Sequence, residues 1–190
     1  MIPPFVLASA SPRRRQLLEM LGLKFTVVPS QVPEVRVADE RAVPYAQRLA
    51  QSKALSVAGD LVLAADTIVV TGHHILEKPA DEQDAFAMLA RLRGRTHEVV
   101  TAVALSQLRQ VRLKTDITKV TFRHVSDDFI RAYVQTGEPM DKAGAYGIQG
   151  YGAALVEKVE GDFFGVMGLP IRLVLELFEE AGHCYDFGKR

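Results

Sequence analysis

Apolar positions along this chain follow two rhythms, and the switches between them mark its elements. Phe5-Val6-Leu7-Ala8 is a short apolar run that predicts a buried strand over 4–8. Leu17, Leu18 and Leu21 then recur at helical spacing. With Ser11 as N-cap and Pro12 at the first helical position, they predict a helix over 12–21 that stops at Gly22. Residues 24–28 predict a second strand, and the polar, proline-punctuated stretch from Pro29 to Val43 reads as a loop. Leu49, Ala50, Ala54 and Leu55 predict a helix over 44–58 ended by Gly59. Leu61 to Val70 is almost continuously apolar, the pattern of a strand buried on both faces. Ala85, Met88, Leu89 and Leu92 predict a helix over 81–92. Residues 96–106 and 111–122 read as a long hairpin, Ser126-Asp127-Asp128 caps a helix through Val134, and 153–159 reads as a strand. Pro170 opens a last helix, Ile171 to Glu180. Strands alternating with helices, plus adjacent antiparallel strands, predict an α/β sheet of mixed direction.

Charge changes the picture at two places. Arg13, Arg14 and Arg15 fill the first turn of the first helix, directly after Ser9-Ala10-Ser11. A helix N-terminus already carries partial positive charge, so cations gathered there make sense around an anion, and phosphate is the usual guest. The second place is Asp66, inside the apolar run Leu61–Val70. A carboxylate is costly to bury unless it is paired or bound to a metal. Asp66 therefore reads as a general base or a cation ligand ahead of a strand-end cap, with the Thr67 hydroxyl beside it on the opposite face.

Other candidates are weaker by spacing. Lys53, mid-helix, and Lys78, in Leu76-Glu77-Lys78-Pro79, read as surface lysines, and Glu34 reads as a solvated loop carboxylate. Residues 136–152 are dense in glycine, with Gln149 among them. Glycine lets backbone approach a ligand, and a carboxamide both donates and accepts, which suits a pyrimidine edge. A structural glycine turn explains the same stretch equally well. The five histidines show no zinc spacing, and no Walker-type loop is present, so a cation would be an oxygen-liganded one shared with phosphate.

Composition bounds the rest. The chain has 190 residues, 48% of them hydrophobic, enough for a substantial core in one domain. Lys plus Arg number 23 and Asp plus Glu 23, a balance that argues against broad nucleic-acid or membrane-surface binding. The single cysteine, Cys184, permits no intrachain disulfide. The N-terminal apolar run has no basic region ahead of it and fails as a secretory signal, and a cytoplasmic protein is expected.

In these blocks the chain resembles the Maf family of nucleoside triphosphate pyrophosphatases: Leu7-Ala8-Ser9-Ala10-Ser11-Pro12-Arg13-Arg14, Ala65-Asp66-Thr67-Ile68-Val69, Glu77-Lys78-Pro79, Gly94-Arg95-Thr96-His97-Glu98-Val99, Gly137 through Gly150, and Gly168-Leu169-Pro170. They run in family order over nearly the whole chain. The resemblance implies an elongated mixed β-sheet flanked by helices, a single domain over 1–190 with two lobes and a central cleft, related to the inosine triphosphate pyrophosphatases. It implies hydrolysis of a nucleoside triphosphate to the monophosphate and pyrophosphate, a divalent cation (magnesium or manganese), a cytoplasmic location and a homodimer. Arg13, Asp66-Thr67 and Gln149 match the branch acting on dTTP and UTP. Carried over residue by residue, Asp66 is the catalytic base. Arg13, Arg14, Lys53 and Lys78 bind the phosphates, Ser9 is a further substrate-binding residue, Thr67 and Gln149 read the pyrimidine, and Glu34 and Asp66 hold the metal. Phe163-Phe164-Gly165 departs from the family, which shows Asn at the third position. A competing reading is a nucleotide-sensing regulatory protein of cell-division control that needs no turnover.

Overall fold

The computed structural model describes residues 1–188. Its strands are β1 (Phe5–Leu7), β2 (Phe25–Val27), β3 (Leu61–Thr71), β4 (His74–Leu76), β5 (Thr96–Gln107), β6 (Gln110–Phe122) and β7 (Val156–Glu160). The helices are α1 (Pro12–Met20), α2 (Ala42–Ser56), α3 (Glu82–Leu92), α4 (Asp127–Gln135), α5 (Phe163–Val166) and α6 (Ile171–Glu180), with three short 3-10 turns between Glu138 and Leu155. Among the described residues the strands form one seven-stranded sheet in the order β2-β1-β3-β5-β6-β7, with β4 on β3. β1 pairs parallel with β2 and β3, while β3–β4 and β6–β7 pair antiparallel, so the sheet is mixed as the pattern predicts. Leu108 and Arg109 join β5 to β6, both at positive φ as a tight hairpin turn requires.

Two details bear on function. Ser11 stands at the N-cap of α1 but makes no side-chain cap; its own N–H instead donates to Ser9 Oγ at 3.2 Å. And β3 runs unbroken through Asp66, so this carboxylate neither caps a turn nor marks a strand end.

The chain divides into two compact units. The first comprises Met1–Asp66, Thr101–Asp116 and the residues from Gly168 onward. Its core holds Leu7, Leu18, Leu49, Leu63, Leu105 and Phe178, all essentially inaccessible to water. The second comprises Thr67–Val100 and Ile117–Met167. Its core gathers α3 and α4 with Phe122, Tyr133, Tyr146 and Leu155. His97 lies inside that core, edge-on to Phe122 and Tyr146 at centroid distances of 5.0 and 5.4 Å. Its Nε2 shares a 2.8 Å hydrogen bond with the Tyr146 hydroxyl, while Nδ1 has no partner. Burial therefore holds its pKa down to about 4.

Candidate active site

The buried stripe of α2 explains how charge enters the first unit. Tyr45, Ala46, Leu49, Ala50, Lys53 and Ala54 recur every three to four residues and form its buried face. Lys53 lies in that stripe, so its stem packs among apolar neighbours and only 7% of the residue is accessible. A buried ammonium needs anionic partners. It has two: Nζ donates to Asp66 Oδ1 and to Glu34 Oε1, each at 2.6 Å.

These carboxylates arrive from different elements. Asp66 projects from the middle of β3 and is 6% accessible. Glu34 comes from the proline-punctuated loop, its side chain 43% exposed. That loop is fastened to α2 at several points. Tyr45 donates its hydroxyl to the Glu34 carbonyl at 3.0 Å, and Arg48 reaches the Val35 carbonyl and the Glu40 carboxylate. Ser30 and Ser56 add a 2.9 Å hydroxyl contact. The segment is thus a loop with a defined course, and Glu34 is placed by it.

The arginine turn lies in the same unit. Arg14 donates from Nε to the Gly168 carbonyl at 2.7 Å and from Nη1 to Ser9 Oγ at 3.1 Å. It joins the first and last of the sequence blocks, and the fields of Asp66 and Glu34 act on it. Burial pulls its pKa below the usual arginine value against those two carboxylates. Arg13 sits half-buried on the same turn. Arg15 does not join them: it pairs with Glu19 at 2.7 Å on the exposed face of α1. The anion site suggested by three arginines therefore rests on two.

Burial also dominates at Asp66. It raises the carboxyl above the ordinary aspartate value, although the Lys53 charge and hydrogen bond, and Arg14 more weakly, work the other way. A carboxylate with a raised pKa, aimed from a rigid strand, is suited to receive a proton. Glu34 and Asp66 meet on one ammonium, so their oxygens lie within two hydrogen-bond lengths of each other. Among the described residues no group of three or more His, Cys, Asp or Glu side chains could hold a metal ion. Two carboxylates and no more fit a magnesium or manganese ion that shares its remaining positions with phosphate oxygens and water.

Ser9, Arg14, Glu34, Lys53 and Asp66 are thus brought together in the first unit. Thr67 follows Asp66 in β3 and is half-buried. Lys78, after β4, and Gln149, in the glycine-rich run, belong to the second unit, and both are exposed. Spacing alone reads Lys53 as a surface residue and only the family resemblance names it, yet its register with Leu49 and Ala50 is the signal that it points inward. Tyr45, Arg48, Tyr133 and Glu138 are not singled out by the pattern, because their partners lie in irregular segments that show no periodicity.

The model of the family described as "Maf-like protein" matches residues 4–181. A "dTTP/UTP pyrophosphatase" of Koribacter versatilis (strain Ellin345) is 51% identical over 93% of this chain and 94% of its own length. One of the same description from Moorella thermoacetica (strain ATCC 39073 / JCM 9320) is 52% identical over 90% of this chain and 92% of its own. Among solved structures, the Staphylococcus aureus Ham1 protein aligns with TM-score 0.45 and 14% identity over 81% of this chain and 80% of that one, a likeness too slight to decide anything.

Proposed function

This chain belongs to the Maf-like protein family, and from that premise we propose that it hydrolyses dTTP and UTP to the monophosphate and pyrophosphate. The observation that supports this reading best is the buried pair of Asp66 and Lys53, joined by the partly exposed Glu34 and set beside Arg14, a carboxylate of raised pKa among cations suited to phosphate.

In the proposed reaction Asp66 orients a water molecule and takes its proton. The water oxygen bonds to the α-phosphorus while the bond from that phosphorus to the oxygen bridging the α and β phosphates breaks. The electron pair leaves with pyrophosphate. Arg13, Arg14, Lys53 and Lys78 bind the phosphate oxygens and offset the charge that builds on the departing group. Ser9 keeps Arg14 aimed through its 3.1 Å hydrogen bond. Glu34 and Asp66 would hold a magnesium or manganese ion, which when bound supplies positive charge to the phosphate oxygens. Thr67 and Gln149 read the pyrimidine edge, and a purine leaves those polar groups unmatched. A cytoplasmic location and a homodimer complete the proposal on the family resemblance. Among the described residues no helix is long and apolar enough to cross a membrane.

Pyrophosphate release from the purified protein with UTP, dTTP and GTP, with and without magnesium or manganese, tests this. Release from the two pyrimidine nucleotides, dependent on the cation, is expected. Binding without release would favour a sensing role, and release without added cation in the presence of a chelator would remove the metal from the account.

A further inference from the structure

The loop that carries Gln149 is closed on itself by one carboxylate and one phenol. Tyr133, on α4, donates its hydroxyl to Glu138 Oε1 at 2.9 Å and accepts from the Gly147 N–H at 3.2 Å. Glu138 also accepts from the Tyr151 N–H at 2.9 Å and the Gly152 N–H at 3.0 Å. These tied groups flank Gln149 two residues before it and two and three residues after it. Lys142 Nζ donates to the Glu138 carbonyl and fastens the start of the same segment.

The glycines show how tightly the ring closes. A Cβ at Gly152 would stand 2.3 Å from the Gly147 carbonyl oxygen and 2.6 Å from the Tyr133 hydroxyl. One at Gly150, where φ is +68°, would stand 2.5 Å from Glu138 Oε2. So residues 147–152 wrap a fixed acceptor, and Gln149 among them is exposed.

The charge on Glu138 belongs to this arrangement. Burial alone would raise its carboxyl, but the Tyr151 and Gly152 N–H groups, the Tyr133 hydroxyl and Lys142 outweigh it. The group stays an anion that only accepts, and every donor facing it belongs to the loop or its supports.

We propose that Glu138, braced by Tyr133, is a specificity-positioning residue: it fixes the backbone on either side of Gln149 so that the carboxamide meets a pyrimidine edge in one orientation. This rests on the reading of Gln149 as the residue that recognises the base. A purely structural role for Glu138 would lower stability and leave the choice of nucleotide untouched.

The experiment measures kcat and KM for UTP and GTP, with Tm, in Glu138→Ala, Gln149→Ala, the double variant and Tyr133→Phe. Gln149→Ala is expected to narrow the UTP over GTP preference in kcat/KM by about tenfold, the scale of one lost polar recognition contact. Glu138→Ala is expected to narrow it by a similar factor, with KM for UTP rising more than kcat falls, and the double variant to be no less selective than Gln149→Ala alone. If Gln149→Ala narrows the preference and Glu138→Ala does not, the positioning role is overturned while base reading stands. If Gln149→Ala leaves the preference unchanged, base reading falls and the role assigned to Glu138 falls with it. Should Glu138→Ala fail to fold, Tyr133→Phe, which removes only the hydroxyl between Glu138 and Gly147, decides: a smaller narrowing supports the proposal, and an unchanged preference overturns it.

Discussion

Asp66 and Glu138 are both acidic side chains in partly or wholly buried places, and they end with opposite protonation tendencies. Burial wins at Asp66, which accepts a hydrogen bond from the Lys53 ammonium, and its pKa rises. Burial loses at Glu138, where two backbone N–H groups and a phenol converge, and its pKa falls. The difference is one of donors. Fixed backbone dipoles satisfy a carboxylate for good and make it a structural anchor. A buried carboxylate held by side-chain cations keeps its raised pKa and can still take up a proton. The acid of the first unit keeps a raised pKa, and that of the second anchors a loop.

Lys53→Met attacks the poised side and carries the largest expected stability effect. Asp66 would be left buried without the ammonium of Lys53, at a cost of about 3–5 kcal/mol. Both Lys53 contributions lower the Asp66 pKa, so their loss raises it further. A raised folded-state pKa disfavours the folded protein as pH climbs through it. The deficit of Lys53→Met should therefore be greatest at alkaline pH and shrink on acidification, measured by urea unfolding at several pH values. A pH-independent deficit would mean that Asp66 is not the group left stranded.

His97 tests the second unit's rigidity with the opposite sign. Its pKa is held near 4 against an ordinary 6.5, so the unfolded chain binds a proton first as pH falls between those values. Stability attributable to His97 should drop by about 3 kcal/mol across that window and stay lost below it. His97→Leu should flatten that part of the acid-unfolding curve. An identical slope in both proteins would place the titration elsewhere.

Gln149→Ala is expected to have a smaller effect, about a tenfold loss of pyrimidine preference with Tm almost unchanged. Smallest of all, Arg15→Ala removes only an exposed pair with Glu19 and should shift stability by less than about 0.5 kcal/mol. A marked fall in activity there would return Arg15 to the anion site from which its geometry removes it.

Much of this was legible in the residue pattern, because periodicity reports burial. β3, α3, the hairpin and α6 follow from apolar spacing, and Asp66 stood out as a charge inside an apolar run. What escaped were contacts between residues distant along the chain. Lys53 is a lysine in a helix until the strand bearing Asp66 is packed against it. Glu138 is one more loop acid until residues 147–152 fold back on it. α5 escaped as well: its four residues are too few to show a helical period, although Asp162 caps the Gly165 N–H at 3.0 Å. Ser11 shows the converse, a residue suited to capping whose N–H is instead bound to Ser9.

The central claim is that Asp66, sheltered and held by Lys53, takes the proton from the attacking water. Pyrophosphate release and UTP affinity in Asp66→Asn test it most directly. General-base loss should cut kcat by about a thousandfold or more while UTP still binds within roughly tenfold of the unaltered protein. A variant that turns over UTP at near-normal kcat would show that the proton goes elsewhere.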